Sequence, residues 1–210
     1  DVQKATPSDS GHPRAYAFGS GFDGDDGKCR SLALDAVCFL SAPLLLDGGA
    51  LRAISTQGGV RACSQRGASG RVTVVTPHGG EAAGLARAAG ISAESPADLA
   101  REIACAYGCF TVLKGPDTYI SDGKRTVVMT FGTPALAKAG TGDVLAGIIG
   151  ALMAQGMDAF DAGALGASVH ALAGVRASDE KGVTSVRPED VADQIPYVFC
   201  ELEHERQDNE

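Results

Sequence analysis

The chain has 210 residues, 44% of them hydrophobic, with a formal charge of −8 at pH 7; this length suits one domain that buries roughly 70% of the surface its unfolded form exposes. The acidic balance excludes a general nucleic-acid surface, because a phosphate backbone would be repelled, so any anionic ligand must be held by local donors. The six cysteines (Cys29, Cys38, Cys63, Cys105, Cys109 and Cys200) form no CxxC pair and lie mostly in apolar runs, which argues against a zinc site or disulfide scaffold and for reduced, core-filling thiols in a cytoplasmic protein.

Taken in order, residues 28–41 carry apolar side chains at helical spacing, Pro43 interrupts them, and LLLD follows as a short buried strand. VTVVTP at 72–77 is a second strand, ending where Pro77 and His78 turn into a helix near 81–89. A helix at 97–107 leads to a third strand, CFTVLKG at 109–115. Residues 117–131 read as a hairpin around the Asp122–Gly123 turn. Beyond it come a helix starting at a glycine-rich turn, an Ala- and Gly-rich helix over about 158–177, and a last helix near 188–199. The polar ends, 1–14 and 201–210, read as loose. The apolar run in the glycine-turn helix is too short to cross a bilayer, and the start of the chain shows no secretion signal. Alternating strands and helices predict an α/β layered sandwich with a largely parallel central sheet, whose ligands lie at the carboxyl ends of the strands. Asp47, His78, Lys114 and Asp143 all fall at such ends or at a following turn.

The glycine-rich turn, AKAGTGDVLAGIIGAL from residue 137, carries the most chemistry. Gly140 and Gly142 let the backbone approach an anion, and the N–H groups of Thr141 to Val144 belong to a helix start, where intrahelical partners are lacking and the dipole is positive. Asp143 in that first turn is either a stabilising helix-start carboxylate or a reactive group beside a bound phosphate. Neither the dinucleotide G-x-G-x-x-G pattern nor a P-loop is present. His78 has two readings, a backbone-capping imidazole or a substrate contact, and Glu81 caps the helix that follows. Lys114 is either a surface amine or a cation delivered to the strand end on a buried stem. Lys138 reads as an exposed loop residue and His170 as a satisfied core histidine.

GTGD followed by VLAGIIGAL resembles the anion-hole motif of the ribokinase-like superfamily. Together with TPHGGEAAGL at 76–85, VLKGPDTYISDG at 112–123, AFGSGFDG at 17–24 and PLLLDGGAL at 43–51, it is similar to the nucleotide-dependent NAD(P)H-hydrate dehydratases over residues 15 to about 200. The resemblance implies that Lys114, Gly115, Pro116, Asp117 and Thr118 wrap ADP or ATP, and that Gly140, Thr141 and Gly142 hold its phosphates. It implies that Gly21, Asp47, His78 and Asp143 face the hydrated NADH or NADPH, with Asp143 as the base. Magnesium would bridge nucleotide oxygens and retain its waters, needing few protein ligands.

Three positions depart from the family pattern: Ser20 and Gly79 stand where prolines are usual, and Gly49 replaces the second acid of LDADAL. Family members also carry further strands and helices before the glycine turn at 19–21, so a substrate wall is expected to be missing from this chain. The resemblance further implies a homo-oligomer acting on a small molecule, without nucleic acid or membrane. A kinase of a small hydroxylated metabolite, or a nucleotide-binding protein without catalysis, are the alternatives.

Overall fold

Leu44, Leu45 and Leu46 are all fully buried, the signature of a strand covered on both faces. Successive side chains of a strand point to opposite sides, and the core divides accordingly. Leu45, Val74 and Val112 pack with one set of helices; Leu44, Leu46, Val75 and Leu113 pack with another.

The computed structural model describes residues 14–208, and among these the sheet has six strands in chain order. They are β1 (Tyr16–Phe18), β2 (Leu44–Leu46), β3 (Thr73–Val75), β4 (Phe110–Leu113), β5 (Thr118–Ser121) and β6 (Thr126–Met129). The first four pair in parallel, and β5 and β6 extend the sheet antiparallel. On one face lie α1 (Gly27–Phe39), α2 (Gly49–Ile54), α3 (Gln57–Ala68), α4 (Gly79–Ala89) and α5 (Pro96–Tyr107). The other face is covered by α6 (Thr141–Ala154), α7 (Ala159–Lys181) and α8 (Pro188–Asp208). The α/β sandwich with a largely parallel sheet is the architecture the sequence predicts.

Local chemistry explains several boundaries. Ser95 accepts from the Asp98 N–H at the start of α5, and Gly108 closes that helix in the left-handed region. Asp122 accepts from the N–H groups of Lys124 and Arg125, both at 2.8 Å, forming the hairpin turn expected there. Other expectations need correction. The end expected to be loose is helical from 201 to 208, as part of α8, and residues 1–13 lie outside the described residues. Cys63 and Cys109 are buried, but Cys38, Cys105 and Cys200 are exposed, because their helices turn those positions outward or to an element's end; all six thiols are free.

At the amino ends of the strands, the fully buried Arg66 donates to the carbonyls of Val37 (3.3 Å), Ala42 (2.6 Å) and Val72 (3.2 Å), to Leu40, and to the Thr73 hydroxyl (3.0 Å). This guanidinium ties α3 to the end of α1 and to the chain entering β2 and β3. Burial pulls its pKa down to about 10, with the Arg71 charge adding to the effect.

Candidate functional site

The carboxyl ends of the parallel strands gather the reactive side chains. Asp47 follows β2, and Lys114 follows β4; the Lys114 N–H donates to Pro77 O at 2.8 Å, which places His78 and Lys114 side by side as a lone parallel bridge. Lys114 Nζ then meets Asp47 Oδ1 at 2.8 Å, with side-chain exposures of 21% and 6%. The sequence assigns these two residues to different ligands, whereas the fold joins them as an ion pair between the two halves of the site.

Gly140 begins α6 with φ +94°, a conformation that favours glycine. This tight entry uses more of the turn's donors than expected. Thr141 N–H donates to Lys138 O, and Gly140 O accepts from both Asp143 and Val144. Among the described residues, the N–H groups of Gly140 and Gly142 have no partner, so these two amides remain for an anion. The buried Thr141 hydroxyl is bound to Leu136 O at 2.6 Å and Lys138 O at 2.8 Å, so it holds the loop. Lys138 turns from the site to the carbonyls of Val183, Thr184 and Val186, at 3.1, 2.9 and 2.8 Å. Asp143 is exposed, and its carboxylate has no hydrogen-bond or ion-pair partner among the described residues.

A cavity of about 900 Å³ lies against this turn. His78, Lys114, Gly115, Pro116, Thr118 and the Gly140–Asp143 turn all line it, which brings most of the predicted residues together. Asp47 stands behind them through Lys114. Gly21 and Asp117 are not part of its wall; Asp117 faces a separate hollow beside Leu99 and Tyr119. The segment Met129–Ala139 forms the far wall, and sequence reading assigned it no role; its only local signal is Gly132 and Pro134 breaking the strand.

His78 caps α4: its Nδ1 accepts from Gly80 N–H at 3.0 Å, while Glu81 accepts from the His78 N–H at 2.8 Å. The capping geometry is present at both residues; the other edge of the imidazole, Nε2, lies 3.6 Å from Glu81 Oε2, and the His78 side chain is 62% exposed and lines the cavity. His170, on α7, corrects its expectation. It is buried, with 8% exposure, but its Nε2 has no hydrogen-bond partner. Burial pushes its pKa down to about 4, the Thr141 backbone opposing and the Lys114 charge reinforcing that shift. A neutral, unsatisfied imbalance of this kind sits directly behind the anion turn, where His170 also lines the cavity.

Among the described residues no group of three or more His, Cys, Asp or Glu side chains forms a metal cluster. No helix among the described residues is long and apolar enough to cross a membrane.

Comparison with known proteins follows the same lines. The family model described as NAD(P)H-hydrate dehydratase matches residues 3–197. The Bifunctional NAD(P)H-hydrate repair enzyme Nnr of Moorella thermoacetica is 37% identical over 172 residues, covering 79% of this chain and 31% of that enzyme. The chain thus spans about a third of that relative's length, at 31%. Among solved structures, the ADP/ATP-dependent NAD(P)H-hydrate dehydratase of Bacillus subtilis, co-crystallised with ATP/Mg2+ and soaked with CoA, matches with a TM-score of 0.72 and 25% identity, covering 95% of this chain and 70% of that one. A ribokinase of Thermotoga maritima, at TM-score 0.55 and 13% identity over 85% of this chain and 55% of its own, shares the ribokinase-like fold alone.

Proposed function

The chain belongs to the NAD(P)H-hydrate dehydratase family, and from that premise we propose that it restores hydrated NADH or NADPH to the reduced cofactor at the expense of ADP or ATP. The observation that carries this reading is the exposed, unpartnered carboxylate of Asp143, in the first turn of α6 and in one cavity with Lys114, Gly115 and Thr118. Hydroxide is a poor leaving group from the carbon beside the ring nitrogen. Transfer of a phosphoryl group to that hydroxyl makes it a phosphate ester, and Asp143 takes the hydroxyl proton. The Gly140 and Gly142 amides stabilise charge on the phosphoryl oxygens as it moves. Electron push from the ring nitrogen expels phosphate, and loss of the neighbouring proton restores the dihydropyridine.

In this proposal Lys114, Gly115, Pro116 and Thr118 hold the nucleotide, while His78 and the Asp47 side of the ion pair border the substrate. Gly21 and Asp117, which stand off the main cavity, take peripheral places. Magnesium, if it accompanies the nucleotide, would supply charge neutralisation at the phosphates, with few protein ligands needed. The protein works in the cytoplasm as a homo-oligomer, without nucleic acid or membrane; the free thiols and acidic surface support that reading. The deciding experiment follows recovery of dihydronicotinamide absorbance from each hydrate with ADP and with ATP. Recovery with neither nucleotide, alongside phosphorylation of a small hydroxylated metabolite, would establish a kinase instead; nucleotide binding with no turnover of any substrate would establish a binding protein.

A further inference from the structure

A second cavity, of about 840 Å³, opens on the other side of His78. His78 lines both hollows, so the two lie on either side of this residue. From there the second groove follows α4 across Gly80 and Gly84, which present no side chains, to Arg87 in the last turn. At 1.5 Å per residue the run from His78 to Arg87 is about 14 Å, longer than a nicotinamide ring fills.

Three guanidiniums reach this groove from three different helices: Arg30 of α1, Arg52 of α2 and Arg87 of α4. In a chain of net charge −8 such convergence is a local reversal of sign. Arg52 is set in place by its neighbours. It lies against Gly24, where an added Cβ would stand 2.6 Å from Arg52 Cδ, and pairs with Asp25 at 3.0 Å. Glu81, the other carboxylate of the groove, is engaged by the His78 N–H. Among the described residues Arg30 and Arg87 have no ion-pair partner. Gly49 also lines the groove, and a Cβ there would stand 2.3 Å from Phe22 O. The loop carrying Asp25 therefore closes onto the position where the LDADAL pattern has its second acid, and one negative charge is absent from the groove wall.

Resting on the dehydratase reading, we propose that this groove seats the phosphate-bearing adenosine half of the hydrated dinucleotide. Its arginines select NADPH hydrate, which carries an extra phosphate ester on the adenosine ribose, over NADH hydrate. A guanidinium offers paired donors matched to phosphate oxygens, and the hydrated ring is left beside His78 and Asp143.

The test compares kcat/KM on the two hydrates for the intact protein and for Arg52→Gln and Arg87→Gln. The native protein is expected to favour NADPH hydrate by about tenfold or more, a difference of about 1.4 kcal/mol. Each variant should lose most of that preference through KM, with kcat nearly unchanged and KM for NADH hydrate rising much less than KM for NADPH hydrate, and Arg87→Lys should recover part of it. A native protein that treats both hydrates alike, or variants that lose both reactions in parallel, would overturn the proposal. A binding arm separates this from the activity itself. With the first cavity saturated by a non-hydrolysable ATP analogue, calorimetry compares ADP-ribose with its 2′-phosphate. Tighter binding of the 2′-phosphate that Arg87→Gln abolishes supports the groove even if neither hydrate is turned over, in which case the dehydratase reading fails alone; equal binding of the two overturns the groove.

Discussion

The two ends of the sheet treat buried polar groups in opposite ways. At the amino ends of the strands, Arg66 is fully buried and bonded to four backbone carbonyls and a hydroxyl. At the carboxyl ends, His170 is buried with an unpartnered nitrogen, and Gly140 and Gly142 leave amides unused. An unmade hydrogen bond on a buried group costs about 1–3 kcal/mol, so the carboxyl end is left poorer in hydrogen bonds than the same fold achieves elsewhere. The saturated end closes the sandwich, and the unsaturated end lines the cavity in which the proposed ligand would sit.

Five substitutions press on that contrast. Asp143→Asn should lower turnover by about 100- to 10,000-fold, the usual contribution of a general base, while calorimetry finds nucleotide affinity within a few-fold of native. Unaltered steady-state rates would remove Asp143 from the chemistry. Arg66→Leu strikes the opposite end: it strands several buried carbonyls, so urea denaturation should show a loss of roughly 3 kcal/mol or more, at about 1–3 kcal/mol per stranded acceptor. Its folded fraction should keep native kcat, and a variant as stable as native would mean water replaces the guanidinium.

Gly142→Val tests the free amides. A Cβ there would lie 3.1 Å from Lys114 Nζ and 3.7 Å from Asp47 Oδ2, and the branched side chain beyond it would crowd the anion's approach. Nucleotide affinity should fall about tenfold, or 1.4 kcal/mol, and less in Thr118→Ala; native affinity in Gly142→Val would sink the anion-turn assignment. The effect expected of His170 is the smallest near neutral pH and grows as pH falls. Its pKa is about 4 in the folded protein against 6.5 as the reference, so the unfolded chain takes up the proton first as pH falls. The stability is complete above pH 6.5 and declines from there towards pH 4, by up to about 1.4 kcal/mol per unit from this one group. His170→Leu should flatten that part of the pH–stability curve, and an unchanged slope would mean the imidazole is solvated.

Apolar runs such as VTVV and FTVL announce buried strands, and Ser95 and Gly108 mark the ends of α5, so much of the sandwich is written locally. β1 is not: three half-buried or exposed residues, Tyr16–Phe18, give no period of their own and are held by pairing with Leu44–Leu46. Nor are α2 and α3 legible, because the first is six residues long and the second has two glycines in its first turn, which lowers helix propensity; both are fixed by packing. In the site, the glycine turn and the strand-end residues are visible as motifs. The Asp47–Lys114 pair, 67 residues apart, and the unpartnered state of His170 arise only when distant segments meet.

The helix cap made by His78 also decides how that imidazole is protonated. Because Nδ1 accepts the Gly80 N–H, the ring's hydrogen in the neutral tautomer resides on Nε2, which lies 3.6 Å from Glu81 Oε2. So placed, the neutral ring presents a donor at Nε2, while its acceptor nitrogen is occupied by the cap. In the proposed reaction such a donor would orient an oxygen such as that of a nicotinamide carboxamide, with Asp143 as the proposed proton acceptor. A glutamine or asparagine at position 78 would preserve an amide donor while an alanine would not, so a single backbone hydrogen bond sets which nitrogen of this ring is the donor.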